Sequence, residues 1–309
     1  MAIVLTPPRR AARRRAARRR PSVGRTLAWI YLAGVLFITV FPFYWVLRTA
    51  LSNNYSLDTH PSSLLPTGFT WGPFERVLGI SSQAAALAQG GSGASVDLGI
   101  YLRNSVIYAS VLTACVVLCS ALAAYAFARL HWRGRNLVFS VFLCALMIPG
   151  ILTLLPNFVF IKDLGLLNSF AGLILPGALF SAFDIFFLRQ FMLGLSTEIE
   201  EAAILDGAGP FTMLFRIVLP MTSVPLTTLV LLTFINTWND YFWPLLVANN
   251  QSIEPLTLGL ALFKQASPES APDWAGLMAA TVVAALPMLL LFMVFGRRIV
   301  NSIGFSGLR

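Results

Sequence analysis

The chain is short of charge. Only 11% of its 309 residues are Asp, Glu, Lys or Arg, against about a quarter in a soluble globular domain. With 57% apolar residues and a mean hydropathy of +0.75, that scarcity excludes a water-soluble enzyme and points to an integral membrane protein. Lysine is almost missing: Lys162 is followed by Asp163, and Lys264 by Gln265. Neither completes G-x-x-x-x-G-K-[ST], so no P-loop exists to cradle nucleotide phosphates, and the chain is not an ATP-hydrolysing enzyme. Histidine is as rare, with His60 and His131 falling in loops expected on opposite sides of a membrane. Cys115, Cys119 and Cys144 lie in apolar runs. Cys115 and Cys119 are spaced to share a helix face, but no nearby His or carboxylate completes a site, and nothing suggests a disulfide. Catalytic residues, a metal and a cofactor are therefore all expected to be absent.

What the chain does have is long hydrocarbon runs. Apolar stretches at 27–47, 101–128, 137–161, 170–187, 219–247 and 274–295 are long enough to cross a bilayer as helices. Pro149, Gly150 and Pro156 interrupt the third; such residues are tolerated where neighbours or cavity water satisfy the freed backbone. The expectation is an all-α polytopic protein with six transmembrane helices. Residues 1–26 form an Arg-rich tail read as disordered and resting on anionic headgroups rather than on nucleic acid. Residues 27–298 form the six-span domain, with a polar external loop at 48–98, a cytoplasmic loop at 189–219, and a short tail at 299–309. Within the external loop, the Ser/Gln/Ala/Gly run at 81–95 reads as flexible, and another external loop covers 248–273. The net charge of +9 is distributed unevenly: this topology puts 17 of the 22 basic residues inside. That excess sets both termini in the cytoplasm.

One internal stretch is polar and capped. Thr197 reads as an N-cap, with Glu200 three residues on to complete a capping box. Glu198, Glu200 and Glu201 suit the positive end of the helix dipole. Gly207 reads as the C-terminal stop. Ile199, Ala202, Ala203 and Ile204 give a small, smooth face suited to another protein's groove. Leu219-Pro220 follows, proline suiting the first turn of a new helix.

Glu201-Ala202-Ala203, Gly207 after three residues, Ile217 after nine more, and then Leu219-Pro220 resemble the cytoplasmic EAA loop of binding-protein-dependent ABC importer permeases. Other stretches resemble the carbohydrate, maltose-transporter-like branch: Tyr101-Leu102-Arg103-Asn104-Ser105, Ala123 to Leu130, Leu164-Gly165-Leu166-Leu167-Asn168, Phe187-Leu188-Arg189-Gln190-Phe191, and Trp238-Asn239-Asp240-Tyr241. The resemblance covers nearly all of 27–298, the Arg-rich tail and the 81–95 run being departures. It implies a type I ABC importer permease fold in the bacterial plasma membrane. It implies pairing with a second homologous permease, an ATPase dimer below and an extracytoplasmic sugar-binding protein above. Glu200, Glu201, Ala202, Ala203, Asp206, Gly207, Ala208, Leu219 and Pro220 would then couple to the ATPase, which supplies ATP and Mg. Glu201 is expected to make the polar contact, and Gly207 to serve close approach or turn geometry. Glycerol phosphate or a polyamine is the alternative cargo within the superfamily. A secondary carrier is the alternative outside it, and leaves the Glu201 loop without a purpose.

Asn236, Trp238, Asn239, Asp240 and Tyr241 are candidates for the translocation path, because a sugar wants aromatic faces for its ring and amides or carboxylates for its hydroxyls. They read equally as outer-interface anchors and inter-subunit hydrogen bonds. Asp184 is an intramembrane acid and hence a functional candidate by default, with a structural pair to Arg189 as the other reading.

Overall fold

The computed structural model describes residues 23–91, 97–179, 181–267 and 272–304, and side chains as far as Gly296. The Arg-rich run at 9–20, part of the 81–95 run and the end of the C-terminal tail lie outside those residues. The chain divides into two units, Met1–Trp45 and Val46–Arg309. In order, the helices are α1 (Val23–Ala50), α2 (Asn54–Thr59), α3 (Gly72–Val77), α4 (Gln83–Ala88), α5 (Leu98–Ala128), α6 (Arg135–Ala145), α7 (Gly150–Asp163), α8 (Phe170–Ala178), α9 (Ala182–Leu193) and α10 (Thr197–Leu205). Then come α11 (Pro210–Thr212), a π-helical turn (Met213–Val218), α12 (Leu219–Met221), α13 (Ser223–Trp238), α14 (Phe242–Val247), α15 (Leu256–Ala266) and α16 (Trp274–Gly304). No strand occurs among the described residues. In the first unit, α1 carries an aromatic ladder one turn apart, with Phe37–Phe41 and Phe41–Trp45 ring centroids separated by 5.7 and 5.8 Å.

The second unit is assembled around α5. This helix packs along α13 and α9 and also meets α8 and α15. It contributes to every apolar cluster: Tyr108, Leu112 and Val116 to one, Leu98, Tyr101 and Ala109 to a second, Ala121, Ala124, Tyr125 and Ala128 to a third, and Phe127 to a fourth. Ala121, Ala124 and Ala128 recur at helical spacing, and small side chains there let neighbouring backbones approach without a hydrophobic driving force in lipid.

Three helices, Val23–Ala50, Leu98–Ala128 and Trp274–Gly296, are long and apolar enough to span singly. The other three expected spans are bent pairs, α6 with α7, α8 with α9, and α11–α12 with α13. Two bends are sharp, the first at the Pro149-Gly150 interruption read in the sequence and the second in a span expected to be continuous. Between α6 and α7 the axis turns by 99°, because Pro149 has no N–H to donate and holds an extended ψ of 129° before Gly150. The expected 219–247 helix is broken twice. An 83° bend precedes α13, where Pro220 and Pro225 withhold donors and Thr222 Oγ1 donates back to the Val218 carbonyl at 2.8 Å. The chain then leaves the helix again at Asn239–Tyr241 before α14. Nor do Arg297 and Arg298 stop the last helix, which runs on to Gly304.

The segments expected to be external loops are more ordered than a polar loop suggests. The 48–98 stretch holds α2, α3 and α4, with Gln83–Ala88 helical inside the run expected to be flexible, and the 248–273 stretch holds α15. Arg76 and Asp273 form a buried ion pair at 2.9 Å. The Tyr101–Ser105 motif explains itself here. Asn104 Nδ2 donates to the carbonyls of Gln251 and Glu254 at 3.0 and 2.9 Å, and Ser105 Oγ accepts from the Leu256 N–H at 2.7 Å. Burial pushes the Glu254 carboxyl above the usual carboxylate range, partly opposed by a hydrogen bond from Tyr101. Asn168, at φ 56°, closes the α7–α8 turn and accepts from the Asn249 N–H at 2.7 Å. These polar residues staple loops to the bundle.

Candidate functional site: a capped polar helix and its anchor

The polar stretch forms α10, with its N-cap one residue earlier than expected. Ser196, extended at φ −62° and ψ 130°, accepts from the Glu198 N–H, so Thr197 is already the first helical residue. The Thr197–Glu200 capping box is accordingly absent. Glu200 points elsewhere and pairs with Arg129 Nε at 2.9 Å.

The C-terminal end is a Schellman turn. Gly207 adopts φ +83°. Its N–H donates to the Ile204 carbonyl at 2.9 Å, and the Ala208 N–H reaches back to Ala203 at 2.9 Å. Within this chain a Cβ at 207 would meet nothing within 4 Å, so no close approach to the rest of the permease calls for glycine there. The left-handed backbone is what requires glycine.

Facing divides the coupling candidates. Glu200, Ala203, Ala208 and Leu219 are half-buried, the last three against the cluster of Leu188, Met192, Leu214 and Val218. Glu201, Ala202, Asp206, Gly207 and Pro220 are exposed. The expected smooth face of Ile199, Ala202, Ala203 and Ile204 needs correction, because Ala203 turns inward. The outward surface is larger and greasier: Ile204, Phe211 and, at 89% exposed, Leu205.

The path candidates are not one constellation. Trp238 is buried and stacked on Phe234. Asp240 Oδ2 accepts from the Tyr108 hydroxyl at 3.0 Å, its Oδ1 from the Trp243 N–H at 3.5 Å, and its carbonyl from Thr257 Oγ1 at 2.7 Å. Tyr241 packs into the cluster around Leu173 and Val247. Within this chain these three residues join α13, α14 and α5. Tyr108→Phe, which strips Asp240 of one donor, is expected to lower stability by about 1–3 kcal/mol and leave apparent solute affinity unchanged, checked by thermal unfolding alongside uptake kinetics. Only Asn236 and Asn239 remain exposed, Asn239 Nδ2 donating to the Ile235 carbonyl. A groove of about 480 Å³ between α5 and α12–α13 offers Ser110 and Thr113 hydroxyls in an otherwise hydrocarbon lining. That is too little hydrogen bonding for a saccharide.

Asp184 does not pair with Arg189. A spacing of five residues puts them on different faces of α9. The Arg189 guanidinium instead lies 4.1 Å from the Phe139 ring centroid and donates to the Phe127 carbonyl. Asp184 is buried beside its helix cap, Ser181.

Residues 116–304 match the family of the binding-protein-dependent transport system inner membrane component. The chain belongs to that family. It is an ABC-importer permease, an integral protein of the bacterial inner membrane, and its relatives are transport components rather than enzymes. The permease is 32% identical over 267 residues to the diacetylchitobiose uptake system permease protein NgcG of Streptomyces coelicolor, spanning 86% of this chain and 83% of that protein. It is 31% identical over 272 residues to the sn-glycerol-3-phosphate transport system permease protein UgpE of Pectobacterium atrosepticum, spanning 88% and 92%. Its fold is that of a chain in a crystal structure of a bacterial ABC transporter involved in the import of the acidic polysaccharide alginate. The TM-score there is 0.75 at 21% identity, over 89% of this chain and 98% of that one.

Sequence reasoning missed Arg129. It closes the Ala123–Leu130 stretch quoted for the resemblance, and its position after an apolar helix reads only as a topology signal. In the permease its guanidinium holds Glu200 and two backbone carbonyls at once.

Proposed function

We propose that the permease is one of two membrane subunits of an ATP-driven importer for a neutral saccharide or related polyol. In this reading six spans cross the membrane with both termini in the cytoplasm. A second permease completes the path, two ATPase subunits grip α10 from below, and an external receptor delivers the cargo. A carbohydrate or polyol cargo, without regard to its charge, is supported by relatives named for diacetylchitobiose, for sn-glycerol-3-phosphate and, in Agrobacterium fabrum, for sulfoquinovosyl glycerol. A receptor is supported by the alginate transporter solved in complex with an alginate pentasaccharide-bound periplasmic protein, a fold match with a TM-score of 0.52. Neutral cargo is favoured over a phosphorylated one because the exposed polar groups on α13 include the amides Asn236 and Asn239 and no cation.

The observation that carries the coupling role is the outward face of α10. A helix closed at both ends by its own caps presents Ile204 and Leu205 to solvent, an exposure that a monomer gains nothing from and a partner's groove would cover. A photo-crosslinker at Leu205 in intact cells is expected to capture the ATPase, and one at half-buried Ala203 far less. Capture of no ATPase at Leu205, or labelling of a cysteine there by an impermeant reagent added outside, would rule the reading out. The cargo itself is tested by titrating N,N′-diacetylchitobiose and glycerol phosphate against the cognate receptor, where the neutral sugar is expected to bind tighter.

A further inference from the structure

The permease carries a buried three-way joint that a coupling helix tethered only by its own chain would not need. Arg129 ends α5. Its Nη2 donates to the Met192 carbonyl at 2.6 Å and the Leu195 carbonyl at 2.9 Å, both at the C-terminal end of α9. Its Nε stands 2.9 Å from Glu200 Oε1 on α10. The two side chains are only 10% and 14% exposed, so the pair acts in a poorly screened setting. The carbonyls at a helix C-terminus carry partial negative charge that favours a cation. A guanidinium suits this place because its delocalised charge faces Glu200 through Nε while Nη2, at another corner of the plane, donates to both carbonyls, a span that an ammonium's point charge does not cover.

Apart from this joint, α10 and the turn that follows it rest on the bundle through the small side chains Ala203 and Ala208. These fill space but give little purchase against sideways force. The helix leads on along the chain through Gly209 to the sharply bent α12–α13 connection, a compliant route. Arg129 offers a stiff one, straight into the 31-residue α5 that every apolar cluster shares.

We infer that Arg129 is a positioning residue that makes α10 and α5 move as one body, so that a push on the coupling helix is delivered to the centre of the bundle as well as along the chain. The inference rests on the proposed coupling role of α10. The joint stays closed throughout the cycle, and what moves is the joined pair.

The test uses the full complex with its ATPase and second permease in lipid vesicles, with Cys115, Cys119 and Cys144 replaced by serine. Spin labels at Val106 on α5 and Ile235 on α13 read rearrangement of the bundle, and labels at Leu130 and Glu198 read the joint, each with and without ATP and Mg. The wild-type complex is expected to show a nucleotide-driven change in the first distance and none in the second. In Glu200→Gln, and in Arg129→Lys, which keeps the charge but loses the fork, the population reaching the ATP-bound first distance should fall roughly fivefold or more. The Leu130–Glu198 distribution should broaden. If both variants merely unfold at lower temperature and keep the full nucleotide-driven change, the contact is only a stabilising one and the inference is overturned. If the wild-type complex itself shows no such change, or no ATPase co-purifies, the coupling reading fails instead.

Discussion

Gly207→Val should abolish at least about nine-tenths of uptake while the protein still reaches the membrane and its partner still hydrolyses ATP, if coupling between the two ends follows the ordinary range. The argument begins at one dihedral. Gly207 sits at φ +83°, a region that costs an ordinary L-residue about 1–2 kcal/mol and a β-branched one more. Relieving that strain opens the turn and breaks the bonds from Gly207 to Ile204 and from Ala208 to Ala203. Ala208 then leaves its place beside Ala203, and the α10 axis loses its fixed angle to the segment beginning at Pro210. A lever with a loose end still meets the motor but no longer transmits a defined rotation. Gly207→Asn is the informative companion, because Asn tolerates the left-handed region yet is as bulky as Asp. Near-normal uptake in Gly207→Asn with loss in Gly207→Val places the requirement in the backbone. Equal loss in both would place it in close approach to the ATPase. Solute taken up per ATP hydrolysed, measured in vesicles, is the readout.

That turn was legible in the sequence because glycine after an amphipathic helix has few other reasons to be there. Its opposite end was not, since Ser196 and Thr197 are both good caps and local propensity does not choose between them. The apolar runs were legible for a similar reason: hydrocarbon of sufficient length has one destination in a membrane. Their bends were not. Pro149 and Pro220 mark where a helix can break, but a run that is apolar all round carries no periodicity from which a change of axis could be read. Polar residues inside such runs were easiest to misread. Trp238, Asp240 and Tyr241 have the chemistry of a sugar site, yet Trp238 stacks on Phe234 of its own helix, Asp240 accepts from Tyr108 of α5, and Tyr241 packs into the cluster around Leu173. Asp184 and Arg189 suggested a pair by proximity along the chain, against the geometry of a helix. The ion pairs Arg129–Glu200 and Arg76–Asp273 instead join residues brought together only by folding.

The second of those pairs supports the other large expected effect. Asp273→Ala should lower the unfolding temperature of the detergent-solubilised permease by on the order of 10 °C, because removing one partner of a buried pair costs about 3–5 kcal/mol. Arg76 and Asp273 side chains are 3% and 1% exposed, so the orphaned guanidinium could reach water only by unpacking α3 from α16. The carboxylate is also the hub of a wider network. Its Oδ1 accepts from Asn54 Nδ2 and the Gly276 N–H, both at 2.7 Å, while Asn54 Oδ1 takes the Ala275 N–H at 3.0 Å. The start of α16 is thereby tied to α2 and α3, which fixes the outer segments against the bundle. Under the proposed topology, loss of the hub should also weaken ATPase stimulation by the external receptor and leave crosslinking at Leu205 unaffected. The double replacement Arg76→Met with Asp273→Leu should recover part of the stability, since both desolvation penalties disappear together. It should not recover all of it, because the Asn54 amide and the Gly276 N–H both lose the acceptor they now have. Equal unfolding temperatures for wild type and Asp273→Ala would mean that the pair is hydrated in solution and that the outer segments are held by packing of Phe74 and Val77 alone.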